Sequence, residues 1–438
     1  MGSLDHTTKL WNPVEAEKSD SLNTHNLKLL KTQLAYVRNS IFYKEKLKDV
    51  SIDLIEISQI TAFPFTTKEE LRASQKSSPP FGLHQACHRG RIKRIYMTSG
   101  TTGTPNFIGL TENDLSDWIE CASRSYWAAG FRPTNWIVSA LGAGPFIAGV
   151  TLDGWQNIGC SLVPVGPGRT DRIIAAFQEG KADCLACTPS YALYLLESCE
   201  KIGIDPKQLG IRRIQFGGEP GWEEGLRSRV ERAFDCITTE SLGMGDVSVD
   251  FWGECEERSG MHFCAQGIIY PELIDPETLE TIEWREGEMG ELVYTHLKRE
   301  CEPLIRFRSR DIVKLTGIEC PCGRTGPMIR VLGRSDDMFK VKGVSVFPSS
   351  VKEIVSRFVP KVSGAVEILL RRPVTQMKSP VPINVEYGSE PADASGLKSD
   401  IEEAIHAKLL FRADVNLVAY GTLSRSEYKT RIVRLVES

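Results

Sequence analysis

From Trp136 to Ala233 short apolar runs alternate with longer amphipathic ones, and this alternation restricts the fold more than any other feature of the chain. Trp136-Ile137-Val138-Ser139-Ala140-Leu141 reads as a strand, followed by a Gly-rich turn and a helix of small residues. Ser161 to Val165 reads as a second strand and Arg172 to Glu179 as a helix. Cys184 to Cys187 opens onto Thr188-Pro189-Ser190, which starts a helix over Tyr191 to Glu197. Ile211 to Phe216, the turn Gly217-Gly218-Glu219-Pro220 and a helix over Glu223 to Ala233 complete the run. Strands alternating with helices predict an α/β sheet with its ligand sites at the strand ends.

The flanks read differently. Leu27, Leu30, Leu34, Val37 and Ile41 recur at helical spacing, and Thr67 with Glu70 three residues on forms a capping box for a second helix. Ile268 to Val313 is β-rich, with turns at Asp275 to Thr278 and Arg285 to Glu288. Beyond Gly333, Val341 to Phe347 and Ala365 to Leu370 suit strands, while Ser349 to Phe358 and Leu397 to Leu410 suit helices. At 438 residues the chain exceeds the size of a single core. The expected organisation is an α/β protein in two domains. Residues 1–333 form a large N-terminal domain with α/β sheets and a β-rich subdomain, and residues 334–438 a small α+β domain.

Met97-Thr98-Ser99-Gly100-Thr101-Thr102-Gly103-Thr104-Pro105 precedes a polar helix start at Thr111 to Asp114. Glycines let backbone N–H groups approach an anion, and flanking hydroxyls add donors, so the run suits phosphates. It is not the Walker loop, which requires a Gly-Lys pair that is absent here. The 53 basic and 57 acidic residues leave a net charge of −4, which is no nucleic-acid footprint. No apolar run approaches the roughly 18 residues of a membrane span, and no signal-peptide pattern opens the chain. A cytoplasmic protein is expected, with its twelve cysteines as reduced thiols or metal ligands. Cys255, His262, Cys320 and Cys322 form C-x₆-H and C-x-C pairs, a Cys₃His set suited to structural Zn²⁺, with Cys264 and Cys301 as alternative ligands.

Several of these stretches, taken together and in order, resemble phenylacetate–CoA ligase and its relatives among the adenylate-forming enzymes. They are Thr98 to Pro105, Cys187 to Leu193, Gly217-Gly218-Glu219-Pro220, Gly333-Arg334-Ser335-Asp336-Asp337, Lys340 to Pro348, and Arg425-Ser426-Glu427-Tyr428-Lys429. The resemblance implies a two-step reaction: a carboxylate attacks the α-phosphate of ATP and expels pyrophosphate, then the thiol of coenzyme A displaces AMP. Mg²⁺, backbone donors and a lysine relieve the approach of one anion to another.

Residue by residue, the resemblance makes Lys429 the catalytic lysine of a mobile C-terminal domain and Asp336 its hinge. Thr98, Ser99, Gly100, Thr101, Thr102 and Gly103 hold the departing pyrophosphate. Asp311 and Arg334 hold the ribose, while Gly218, Glu219, Pro220, Leu242 and Gly243 line the nucleotide. Asp246 stands where relatives place a Mg²⁺-binding glutamate, one methylene shorter, and Leu242 where they place an aromatic ring over adenine. Thr104 and Tyr428 also depart, standing where relatives have lysine and glycine. Leu141, Gly142, Phe146, Tyr191 and Gly217 match the acid pocket, with Leu141 and Ala143 in place of common tyrosines. The implied substrate is a small aromatic carboxylic acid, and the family analogy suggests a homodimer. Transfer to an amine, a hydroxyl or a carrier-protein thiol is the alternative to coenzyme A. A nucleotide- or acyl-binding relative without catalysis is the second alternative.

Overall fold

In the computed structural model, the described residues are 8–97, 106–142, 144, 148–219, 224–341, 344–371, 377, 379–388, 396–423 and 432–436. They fall into two units. The first comprises Met1–Cys187, Gly210–Gly217 and Ile237–Arg330, and the second Thr188–Leu209, Gly218–Cys236 and Val331–Ser438.

One sheet runs through the first unit. Its strands lie in the order Thr281–Ile282, Ile269–Ile274, Met289–His296, Phe307–Glu319, Thr325–Arg334, Met261–Phe263, Ser248–Glu254, Ile237–Met244, Arg213–Phe216, Cys184–Cys187, Trp136–Ser139 and Ser161–Pro164. The last five pair in parallel, as the strand–helix alternation predicts. The sequence reads this α/β part and the β-rich part as separate. They are continuous because Ile237–Met244 pairs in parallel with Arg213–Phe216 on one edge and antiparallel with Ser248–Glu254 on the other. Ile237 to Glu240 supplies the parallel register and Ser241 to Met244 the antiparallel one, so the strand hands the ladder from one neighbour to the other along its length.

The helix Glu112–Ala128 covers this sheet and starts where the polar run Thr111 to Asp114 predicts, with a capping box that the structure adds. Thr111 accepts from the Asp114 N–H, and Asp114 accepts from the Thr111 N–H. Two glycines admit the helix closely. A Cβ on Gly154 would lie 2.6 Å from Ala122 Cβ, and one on Gly253 would clash with Ser125. Tyr126 then stacks on Trp155 with ring centroids 4.2 Å apart, inside a core that includes Trp118, Phe131 and Val249.

Two strand pairs of the sheet are interrupted in the same way. Between the pairs Leu242↔Trp252 and Met244↔Ser248, the single residue Gly243 faces three, Val249 to Phe251. Between Glu291↔Ile312 and Val293↔Arg308, the single residue Leu292 faces Ser309, Arg310 and Asp311. Each bulge contains a non-glycine residue in the left-handed region, Asp250 at φ +40° and Arg310 at φ +68°. Such conformations cost on the order of 1–3 kcal/mol and bulges re-aim side chains, so each is a place where the sheet departs from regularity at a cost.

In the second unit, helix Pro189–Lys201 packs on Glu224–Phe234, which packs on Pro348–Ser356. A four-stranded sheet follows in the order Ala413–Val418, Val381–Tyr387, Val362–Arg371, Val433–Val436. It shares a core with Leu397, Ile401 and Ile405 of the helix Leu397–Leu409. Three of these strands are absent from the sequence reading, although Val381, Ile383 and Val385, and likewise Ala413 and Val415, alternate with the period of a strand and are buried. Among the described residues no helix is long and apolar enough to cross a membrane.

Candidate active site and metal centre

The strands Ile92–Met97 and Phe107–Thr111 pair antiparallel and set Met97 opposite Phe107, flanking the Gly/Ser/Thr run. Thr98, Ser99, Gly100, Thr101, Thr102, Gly103 and Thr104 themselves lie outside the described residues, as do Ala143, Phe146, Pro220, Tyr428 and Lys429. The strand that follows the run is held by side chains that sequence reasoning did not single out. The Gln75 amide donates to Phe107 O at 2.7 Å and accepts from Phe107 N–H at 3.1 Å. Glu302 accepts from Gly109 N–H at 2.7 Å. These partners are far apart in the chain, and no local pattern signals them.

Burial raises the pKa of Glu302 to about 8 against the Gly109 N–H, which lowers it. The folded state therefore binds this proton more tightly than the unfolded chain, whose glutamate titrates near 4.5. The stabilisation is fully present below pH 4.5 and is lost as pH rises to about 8. Glu302→Gln mimics the protonated acid, so we expect near-wild-type melting at pH 5 and a higher Tm than wild type at pH 9. An equal offset between the two proteins at both pH values would show that Glu302 is not the group responsible.

Asp246 lies in the turn joining Ile237–Met244 to Ser248–Glu254. Its carboxylate forms an ion pair with Lys68, both side chains being largely buried. Lys68 opens the helix Lys68–Ser77, capped by the predicted Thr67–Glu70 box. The preceding segment is pinned to the sheet by Thr66 N–H to Arg306 O and Arg308 N–H to Thr66 O, each 2.9 Å. Arg308 in turn makes a bidentate pair with the buried Glu291, at 2.9 and 2.6 Å. Lys68 is thus a fixed cation beside the candidate metal ligand, and the sequence reading missed it.

Asp311 is buried in its bulge, with its N–H donating to Ser309 Oγ at 2.9 Å. Its charge contributes to raising the pKa of the buried Tyr294, after burial itself. The hydroxyl of Tyr294 accepts from Trp252 Nε1 at 3.0 Å. Gly243 lies under the other bulge, where a Cβ would come within 2.7 Å of Asp250 N. Leu242 is half-buried beside it. Leu141 follows the strand Trp136–Ser139, with its N–H donating to Ser139 Oγ at 3.1 Å, and packs against the core that holds Tyr126 and Val249. Gly142 is half-exposed. Gly217 sits at the end of Arg213–Phe216, and a Cβ there would lie 3.6 Å from Ser241 Oγ and 4.0 Å from Asp250 Oδ1. The structure therefore brings Gly217, Ser241 and Gly243 around Asp250, a residue the sequence reading did not select.

In the second unit, Thr188 caps Pro189–Lys201 by accepting from Tyr191 N–H at 3.1 Å. Glu219 accepts from Ser190 N–H at 3.2 Å and Ser190 Oγ at 2.7 Å, placing its charge at the positive end of this helix. Gly218 has φ +83°, which suits glycine, and Tyr191 is buried. Arg334 makes a bidentate pair with Asp336, both bonds 2.9 Å.

The metal candidates converge. The ligand atoms of Cys255, His262, Cys320 and Cys322 all lie within 4.8 Å of one another. Cys255 and Cys320 sulfurs are 3.7 Å apart, and Cys322 Sγ lies 3.5 Å from His262 Nε2. A tetrahedral ion with Zn–S of about 2.3 Å and Zn–N of about 2.05 Å sets these edges at about 3.75 and 3.55 Å. Donation from Cys255, and then from His262, lowers the Cys322 pKa and favours its thiolate. Cys264 instead donates to His262 O at 3.4 Å, and Cys301 lies beside Cys87, so neither alternative joins the cluster.

Comparison with known proteins agrees with this architecture. Residues 343–435 match the family model of the AMP-binding enzyme C-terminal domain. The chain is 31 % identical over 435 residues to a phenylacetate–coenzyme A ligase of Pseudomonas putida, covering 97 % of this chain and 96 % of that one. It is 36 % identical over 386 residues to a phenylacetate–coenzyme A ligase of Thermus thermophilus, covering 86 % and 82 %. The crystal structure of a 2-hydroxyisobutyryl-CoA ligase in its postadenylation state, in complex with R3-HIB-AMP, matches with a TM-score of 0.90 at 26 % identity, over 100 % of this chain and 94 % of that one. The chain belongs to the phenylacetate–coenzyme A ligase family of adenylate-forming enzymes.

Proposed function

We propose that this family member is an ATP-dependent, AMP-forming ligase that activates an aromatic carboxylic acid and transfers it to coenzyme A. The observation that carries the reading is 31 % identity to a phenylacetate–coenzyme A ligase over 97 % of the chain, through both units. In the first step a carboxylate oxygen bonds to the α-phosphorus of ATP, and the bond to the bridging oxygen breaks to release pyrophosphate. In the second the coenzyme A thiolate attacks the acyl carbonyl, and the bond to AMP breaks.

Lys429 supplies positive charge where the two anions meet. The donors of Thr98 to Gly103 receive the outgoing pyrophosphate, Asp311 accepts from the ribose diol, and Arg334 is assigned to the same sugar by the resemblance. Gly218, Glu219, Pro220, Leu242 and Gly243 border the nucleotide, and Leu141, Gly142, Phe146, Tyr191 and Gly217 the acid. Asp336 absorbs the backbone rotation between the half-reactions. Asp246 would hold Mg²⁺, which would neutralise phosphate charge, and Lys68 forms an ion pair with that carboxylate. Cys255, His262, Cys320 and Cys322 hold a structural Zn²⁺, since four protein ligands leave no open position for chemistry.

Acid-dependent ATP–pyrophosphate exchange tests the first step, and mass-spectrometric detection of acyl-CoA the second. Both are expected with an arylacetic or related acid. Absence of exchange across an acid library sinks adenylation, while exchange without a thioester sinks coenzyme A as acceptor.

A further inference from the structure

Asp250 is a built feature of the sheet. It occupies the centre of the bulge opposite Gly243 and holds a left-handed backbone at φ +40°, which an unbranched regular strand would not require. Three hydroxyls from three elements converge on its carboxylate. Tyr126 Oη donates to Oδ2 at 2.5 Å, Thr151 Oγ1 to Oδ2 at 2.8 Å, and Ser241 Oγ to Oδ1 at 2.7 Å. Tyr126 is held as the donor, because burial and then the Asp250 charge raise its pKa well above the usual range. The close helix packing permitted by Gly154 and Gly253 puts Tyr126 and Thr151 within reach.

A carboxylate offers about four acceptor positions, and among the described residues three are filled. Asp250 as a residue keeps 9 % of its surface accessible, and Oδ1 lies 4.0 Å from where a Cβ on Gly217 would stand. Gly217 belongs to the wall assigned to the acid. An apolar acid pocket has no use for a strained, buried anion, because burying a charge without full satisfaction is costly. A ligand that completes the fourth acceptor position removes that cost.

We propose that Asp250 is a specificity-determining residue, and that the acid substrate carries a hydrogen-bond donor, a hydroxyl or amino group, that binds Asp250 Oδ1. This rests on the acid-ligase reading above. A site built around a polar partner rejects an analogue lacking it, because its own polar group is left unpaired.

The test is ATP–pyrophosphate exchange with the full chain and matched acids, namely hydroxy- and amino-substituted arylacetic acids, each against its methyl or fluoro counterpart. At least one donor-bearing acid is expected to exceed its counterpart in kcat/KM by about tenfold to a hundredfold. Asp250→Leu should erase that preference, and the near-isosteric Asp250→Asn should reduce it with the ATP KM unchanged. Exchange in which every wild-type pair agrees within twofold overturns this proposal and leaves the adenylation reading standing. A preference that survives intact in both variants overturns the assignment to Asp250. No exchange with any acid overturns the reading on which it rests.

Discussion

Cys322→Ser is expected to abolish stoichiometric zinc and lower the melting midpoint by on the order of 10 °C. Structural zinc contributes folding free energy directly, and a hydroxyl is a poor replacement for a thiolate in a Cys₃His set. The effect extends past the four ligands. Arg324, two residues on, donates to Lys9 O at 2.9 Å and to the buried Glu15 at 3.2 Å. Glu15 in turn caps the N–H groups of Trp11 and Asn12 at 2.8 and 3.0 Å. Loss of the ion should therefore loosen the segment from Thr8 to Glu17 and open it to proteolysis. The measurements are metal content by mass spectrometry, calorimetric melting with and without a chelator, and limited proteolysis. A metal-free wild type with an unchanged midpoint would refute the zinc assignment.

Lys429→Ala is expected to reduce acid-dependent pyrophosphate exchange by at least 10²–10³-fold while ATP binds within about threefold of wild type. In the proposed mechanism the lysine acts on charge that develops as carboxylate meets phosphate, so its loss should fall on kcat of the first step rather than on nucleotide affinity. Coenzyme A transfer from a chemically prepared acyl adenylate should persist, because that step starts after the two anions have been joined. Calorimetry gives the ATP affinity, and exchange and thioester formation separate the half-reactions. Unchanged exchange in the variant would remove Lys429 from the mechanism.

Much of the local structure was readable in the chain. The Thr67–Glu70 cap forms as its spacing predicts, and a helix starts at the polar run Thr111 to Asp114, because a helix start is decided within three residues. The parallel strands and their helices were legible from periodicity for the same reason. The join between the parallel and antiparallel parts was not, since it depends on Ile237–Met244 accepting a different neighbour on each edge. The site divides likewise. Residue types at the Gly217 turn, Asp311 and Arg334 could be proposed from a resemblance. Lys68 could not be paired with Asp246, 178 residues away, nor Glu302 with Gly109, 193 residues away.

The sequence by itself determined the alternation that builds an α/β sheet, the helix starts, and the kinds of donor and acceptor available for an adenylation. Only the tertiary structure decided that Cys264 and Cys301 stand outside the metal cluster, that a lysine neutralises Asp246, and that three hydroxyls close on Asp250. The physical reason is one of range. Backbone capping and periodicity are settled between neighbours in the chain, whereas a buried charge is settled by whichever groups the packed core brings within hydrogen-bond distance.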